Sequence, residues 1–377
     1  MARPGHRRPC LGWFLLILGM LLTPQPVRAA ADPYRYRQDW IDRLGATVAW
    51  EAGLDGSGII VAVIDSGLAA NHEDLAEDHL LPGRNYTGIG SAYSTTDRTG
   101  HGTFICGLLA AQQHNGLGIL GLVDGVSLLP LKCFDPNTTS SVEMVAEAIA
   151  DAAEAGSDVI SMSFGLPDPA PVLEEAIAEA AARGIILVAA VGDGSKEKPV
   201  YPALYDDVIG VGALAADGSA AVFSSADASV FVMAPGEGLV SLWHTAPDDY
   251  KANGYGTSYA AAFVTAMAAM ARQYSPAITA EQFKALLAHS ATDLGEPGYD
   301  TTYGYGSVHV AAFVEQLQKT GGDFQHLDLS ILAAAEQAVS RPTDIKNNAW
   351  HLAAIAGCLA LVVVIRLLIR RRRNRRG

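Results

Sequence analysis

Ile59-Ile60-Val61-Ala62-Val63-Ile64 is a continuous apolar, largely β-branched run that stops at Asp65-Ser66-Gly67. A strand without polar alternation is covered on both faces, the pattern of a parallel sheet held between helical layers. The remaining chain keeps to that plan. Strands are expected over 126–134, 158–164, 185–191 and 208–214, and helices over 100–113, 140–155 and 172–183. Ser140 with Glu143 reads as a capping box, and Gly156 and Gly184 as helix stops. Later helices are expected over 262–271, over 279–288 with Thr279 and Gln282 as a capping box, and over 308–317. Short buried strands alternating with helices of this length make an α/β fold of three layers with a mainly parallel sheet. The segment 32–55 is polar and aromatic, and too short to be a domain.

Half of the 377 residues are hydrophobic, which excludes a disordered chain. All 40 Asp and Glu lie between Asp32 and Asp344, whereas 4 of the 26 Lys and Arg lie at or before Arg28 and 7 at or after Arg366. So acidic a body is a poor nucleic-acid binder. Arg3, Arg7 and Arg8, an apolar stretch and then Val27-Arg28-Ala29-Ala30-Ala31 form the three parts of a secretory signal peptide, expected at 1–30, an uncleaved anchor being the alternative that the short apolar run disfavours. At the other end, 349–369 is apolar but for His351 and Arg366 and runs into Arg370-Arg371-Arg372-Arg373. About 20 apolar residues cross a bilayer, and an arginine block marks the cytoplasmic side. A buried core helix is the alternative for this stretch. The expected order is signal 1–30, body 31–318, juxtamembrane stalk 319–348, transmembrane helix 349–369 and basic cytoplasmic tail 370–377. That places a single-pass protein in the cell membrane with its body periplasmic or extracellular.

Ligands and substrates on a parallel sheet bind at the carboxyl ends of its strands. Three polar residues stand there or at the helix starts beside them. Asp65 closes a strand, His101 opens a helix within Gly100-His101-Gly102-Thr103, and Ser258 opens another within Gly256-Thr257-Ser258-Tyr259-Ala260. Taken alone, Ser258 is an ordinary helix cap. Together, a carboxylate, an imidazole and a hydroxyl, each with glycine close by, form a candidate nucleophilic triad, with unpaired N–H groups at the helix start ready for an oxyanion.

These motifs resemble those of the subtilisin-like serine proteases. Val61-Ala62-Val63-Ile64-Asp65-Ser66-Gly67 is similar to the family's aspartate motif, and the segments around His101 and Ser258 to its histidine and serine motifs. Ser161-Met162-Ser163-Phe164-Gly165 is similar to the segment lining the substrate cleft, giving Ser161, Ser163, Phe164 and Gly165 as cleft residues. Phe223-Ser224-Ser225 and Val232-Met233-Ala234-Pro235-Gly236 resemble framework segments, and the likeness runs from about Asp32 to Val314. It implies a serine endopeptidase acting on protein or peptide substrates, in which Ser258 attacks, His101 carries the proton, Asp65 orients the imidazole, and no cofactor is required.

The departures are specific. Val191-Gly192-Asp193 stands where the family has Ala-Gly-Asn, so the oxyanion hole falls to Asp193 and the Ser258 backbone. An ionised carboxylate cannot donate a hydrogen bond, and losing that donor costs about 2.7–4 kcal/mol. Ala261-Ala262-Phe263 replaces the usual Ser-Pro-His, and Phe104 the usual histidine. The alternative these changes raise is a catalytically impaired relative that binds peptides or a partner. No prodomain separates the signal from Asp32, so folding without cleavage of an N-terminal inhibitor is expected. Structural calcium is expected by resemblance at Asp74 with the loop 113–117, a solvated acidic loop being the alternative. Cys106 and Cys133 lie in apolar surroundings and are expected as buried free thiols, and no cysteine spacing suits zinc.

Overall fold

The computed structural model describes residues 31–194 and 200–335. The expected signal peptide, transmembrane helix and basic tail lie outside the described residues, as does the stalk beyond 335. Among the described residues, no helix is long and apolar enough to cross a membrane.

Two short helices, α1 (Trp40–Leu44) and α2 (Thr47–Glu51), precede the first strand, β1 (Ile60–Asp65). The chain continues through β2 (Arg84–Asn85), α3 (His101–Ala110), β3 (Ser127–Lys132), α4 (Val142–Glu154), β4 (Val159–Met162), α5 (Pro171–Ala182), β5 (Ile186–Ala190), β6 (Val208–Leu214) and β7 (Val232–Pro235). A hairpin of β8 (Leu239–Leu242) and β9 (Tyr250–Gly254) leads into α6 (Thr257–Tyr274), followed by α7 (Ala280–Ser290) and α8 (Val310–Lys319). Seven strands form one sheet in the order β2-β3-β1-β4-β5-β6-β7, and every pairing in it is parallel. The α/β fold expected from the strand runs is the fold observed.

Residues of β1 explain why it lacks polar alternation. Val61 and Val63 point into one apolar cluster with α3 and α6, while Ala62 and Ile64 point into a second with α4 and α5. β5 divides in the same way, Ile186 and Val188 to one side and Leu187 and Ala189 to the other. Each face of the sheet is therefore a core, and a charge on either face of β1 would be buried without a partner. α6 fills one of these cores. Fifteen of its residues are buried, most of them alanine or methionine, because a helix enclosed on all sides needs small side chains to approach the sheet. Phe263 meets Trp40 with ring centroids 4.8 Å apart. Burial of a ring of that size stabilises by about 1.5–3 kcal/mol.

Four expectations need correction. The segment 32–55 is not a polar lead-in: Trp40, Ile41 and Leu44 are buried, and the Gln38 amide bonds both the N–H and the C=O of Leu120. The cap of α4 is Ser141, whose hydroxyl accepts from the Met144 N–H, while Ser140 donates its hydroxyl to the Cys133 carbonyl. The body also extends past 318. Phe324 is buried, Tyr305 donates to the Ile331 carbonyl, and Leu327 and Ala335 pack on the core, so the described part of the expected stalk belongs to the domain. Finally, α8 opens at Val310, where the His309 ring accepts from the Ala312 N–H, two residues later than expected. The capping box of Thr279 and Gln282 is present with both its bonds. Cys106 and Cys133 are buried and free, and burial raises both thiols.

Candidate active site

Asp65 is the last residue of β1 and His101 the first of α3, so both stand at the carboxyl edge of the sheet. His101 Nδ1 lies 2.8 Å from Asp65 Oδ1 and 3.0 Å from Oδ2. Asp65 is 2% exposed and also accepts the Ser66 N–H at 2.7 Å. An imidazole held this way has its proton on Nδ1 and turns Nε2 outward as a base. Gly102 makes the close fit possible, since a Cβ there would fall 2.2 Å from the Gly67 carbonyl oxygen.

A second carboxylate fixes the start of α3. Asp97, 3% exposed, accepts hydrogen bonds from Ser66 Oγ, from the N–H groups of Thr99, Gly100 and Thr103, and from the Thr99 and Thr103 hydroxyls. Burial alone would raise its pKa, but these donors hold it below the ordinary carboxylate value. Ser66 Oγ in turn accepts from the Gly102 N–H at 2.9 Å, which ties the end of β1 to the start of α3. Lys132, buried at the end of β3, donates to the carbonyls of Ser66 and Thr96 and completes the frame. Burial would lower the pKa of His101, yet the charge and hydrogen bond of Asp65, aided by Asp97 and Asp193, raise it above the ordinary value.

Ser258 is the second residue of α6. Its Oγ donates to the Ser163 carbonyl at 3.0 Å, and Ser163 Oγ donates back to the Ser258 carbonyl at 3.0 Å. These reciprocal bonds pin the serine turn to the end of β4. The next residue, Tyr259, lays its ring between His101 (centroids 5.6 Å apart) and Phe104 (4.1 Å, stacked), which joins the histidine helix to the serine helix. Phe104 is fully buried, so the residue that departs from the family's histidine is a packing element under the site.

Asp193 follows β5 and is exposed at this same edge. Its Oδ1 accepts both the Thr257 N–H and the Thr257 hydroxyl at 2.8 Å, and the Gly192 N–H donates to Thr257 Oγ1 at 3.1 Å. Asp193 thus bonds the residue before Ser258. Gly256, at φ +148°, brings the chain close enough that a Cβ would lie 3.0 Å from Asp193 Oδ2.

A cleft of about 380 Å³ opens beside His101, lined by Ser163, Phe164, Phe134, Asp135 and Thr99 among others. The rings of Phe134 and Phe164 lie 5.2 Å apart. Gly165 is exposed just beyond Phe164, whereas Ser161 is 1% exposed and its hydroxyl accepts from Thr265, so Ser161 supports the cleft from inside and does not line it.

Asp74 lies away from this edge and is fully buried. Its Oδ1 accepts from the Asn115 amide and its Oδ2 from the Ile119 N–H. Burial, with Asp32 and Glu73 adding in the same direction, pushes its pKa up to about 7. N–H donors occupy both oxygens, and among the described residues no group of three or more His, Cys, Asp or Glu gathers for a metal.

Asp97 and Tyr259 are the site residues that sequence reasoning missed. A signal for Asp97 existed: an acidic residue three positions before Gly100, at the distance from which a side chain reaches the first turn of a helix.

Comparison with known proteins agrees with this fold. The model of the subtilase family, peptidase S8, matches residues 56–306. Subtilisin DY of Bacillus licheniformis is 37% identical over 264 residues, covering 69% of this chain and 92% of that protein. The minor extracellular protease Epr of Bacillus subtilis is 34% identical over 299 residues, 79% of this chain, which spans 43% of that longer relative. Among solved structures, a protease from Pseudoalteromonas arctica superposes with a TM-score of 0.68 at 24% identity, covering 77% of this chain and 99% of that one, a likeness of fold.

Proposed function

The chain belongs to the subtilase family and is a subtilisin-like serine peptidase, and from that premise we propose that it is a membrane-anchored endopeptidase cutting protein substrates through Asp65, His101 and Ser258. The bond of Asp65 to His101 at 2.8 Å, at the sheet edge where Ser258 stands in the first turn of α6, is the observation that carries this reading.

In the reaction, Ser258 Oγ leaves the Ser163 carbonyl and attacks the peptide carbonyl carbon while His101 Nε2 takes its proton. Asp65 stabilises the resulting imidazolium. The Ser258 N–H, at the positive end of an 18-residue helix, faces the developing oxyanion. Collapse of the tetrahedral species expels the amine with the proton from His101, and water then hydrolyses the acyl-enzyme by the same steps. The acyl side of the substrate lies in the cleft against Phe134 and Phe164.

The anchor rests on the apolar stretch 349–369 and the arginines after it, which put the body outside the cytoplasm and the C-terminus inside. The full chain, extracted in detergent, is expected to hydrolyse casein, and Ser258→Ala is expected to lose that hydrolysis at an unchanged melting temperature. Hydrolysis that survives in Ser258→Ala contradicts the reading. A second reading, a peptide-binding relative without turnover, draws on the Ser258 hydroxyl bonded to Ser163 and on the carboxylate of Asp193 beside it. Casein bound by the wild-type protein without cleavage would favour it.

A further inference from the structure

Asp193 stands where a neutral amide donor is expected, and its surroundings assign it other work. One oxygen takes two hydrogen bonds from a single residue, the backbone and hydroxyl of Thr257, which is 1% exposed and directly precedes Ser258. The Gly192 N–H closes the ring onto Thr257 Oγ1. These three bonds join the end of β5 to the start of α6. A protonated carboxyl would serve this arrangement less well than a carboxylate, which accepts both donors and matches the positive end of the helix.

His101 is bonded to Asp65 from β1 and lies against the Tyr259 ring from α6, with His244 packed beyond Gly100; Asp97 from the loop before α3 and Asp193, held on Thr257 two residues before Tyr259, add their charges to its surroundings. Asp65 and Asp97 are buried and committed to fixed donors, so of the three carboxylates only Asp193 is open to solvent.

We propose that Asp193 is a positioning residue that acts as a carboxylate: it clamps Thr257, fixing the turn that carries Ser258, and its charge stabilises the His101 imidazolium formed when Ser258 gives up its proton. This rests on the peptidase reading and assigns a role within it. The enzyme exchanges one oxyanion donor for a third negative charge around its base. Raised pKa of His101, to which Asp193 contributes, agrees with this.

Clamp and charge separate by mutation. Asp193→Asn keeps an oxygen for Thr257, removes the charge and presents N–H on the other branch. Asp193→Ala removes clamp and charge together, and Thr257→Val removes part of the clamp and leaves the charge. The measurement is the rate of Ser258 labelling by a fluorophosphonate, together with kcat and KM on a quenched peptide, for the full chain between pH 5 and 9. Removing a charge favours neutral His101, so in Asp193→Asn and Asp193→Ala the ratio of the rate at pH 6 to that at pH 8 should rise about twofold. In Thr257→Val that ratio should stay at the wild-type value. Asp193→Ala should lower kcat about tenfold with KM little changed, Thr257→Val about threefold, and Asp193→Asn, whose gained N–H donor outweighs the lost charge, should raise it near neutral pH.

Two results overturn the proposal: a pH ratio unmoved in Asp193→Asn and Asp193→Ala, which reduces Asp193 to a structural cap, or wild-type activity that climbs as the pH falls below 6, which makes it a protonated donor. Wild-type protein that takes no label at any pH removes the peptidase reading, and this inference with it. Labelling with an unmoved ratio removes this inference alone.

Discussion

The two halves of the active edge are held differently. Where β1 meets α3, the carboxylates of Asp65 and Asp97 are 2% and 3% exposed, and seven N–H or hydroxyl donors besides His101 converge on them. Where β5 meets α6, a solvent-exposed carboxylate, Asp193, holds Thr257 on one oxygen, and the Ser258 hydroxyl rests on a neighbouring carbonyl. His101 is set by buried, over-determined bonds, whereas Ser258 is set by fewer bonds, one of them open to water. Substitutions on the first half should therefore act through the tautomer and placement of His101 and through stability, and those on the second through smaller changes in rate and in its pH dependence.

The sharpest break should come at Asp65. Asp65→Asn keeps the shape and removes the charge that selects the His101 tautomer, and kcat on a peptide should fall on the order of 10⁴-fold with a near-normal melting temperature. A fall below tenfold would detach Asp65 from the chemistry. Asp97→Ala strands several buried donors at once, and urea unfolding should show a loss of about 3 kcal/mol. The sign of its pH dependence follows from a folded pKa below the unfolded one. Stability from Asp97 is present above the unfolded carboxylate value of 3.8 and is lost as pH falls through the lower folded value, so the variant should lose less stability than wild type on acidification.

Phe104→His places an imidazole at a fully buried position, and should cost about 2 kcal/mol with weaker stacking on Tyr259. A neutral or stabilising result would mean that the pocket hydrates or supplies a partner. The smallest effect expected is at Asp74, whose oxygens are taken by N–H donors. A chelator tests the calcium expected there: a fall of several degrees in the melting temperature supports a site in that loop, and an unchanged one removes it.

What the sequence disclosed and what it hid have physical reasons. Strands with both faces buried announce themselves as unbroken apolar runs, so β1, β5 and β6 were readable, and with them the edge where Asp65 would stand. Ser140 and Ser141 are adjacent hydroxyls of equal capping power, and only the nearness of the Cys133 carbonyl decides between them. Asp97 lies in a polar stretch that reads as a solvated loop, since its donors and its cover come from residues that folding brings in. The helices α1 and α2 were hidden for the same reason: Trp40 is buried by Phe263, which lies far along the chain. The identity of Asp193 was plain, but its role depends on Thr257 being within 2.8 Å, and spacing alone does not give that.

The most direct test of the account is the pH dependence of Ser258 phosphonylation in the intact protein. His101 must be neutral to accept the proton, and its pKa is raised by Asp65 and its neighbours, so labelling should fall away on acidification with a midpoint above 6.5 and should vanish in Ser258→Ala. Label that persists in Ser258→Ala, or a labelling rate indifferent to pH across that range, would contradict the assignment of Asp65, His101 and Ser258 as one catalytic unit.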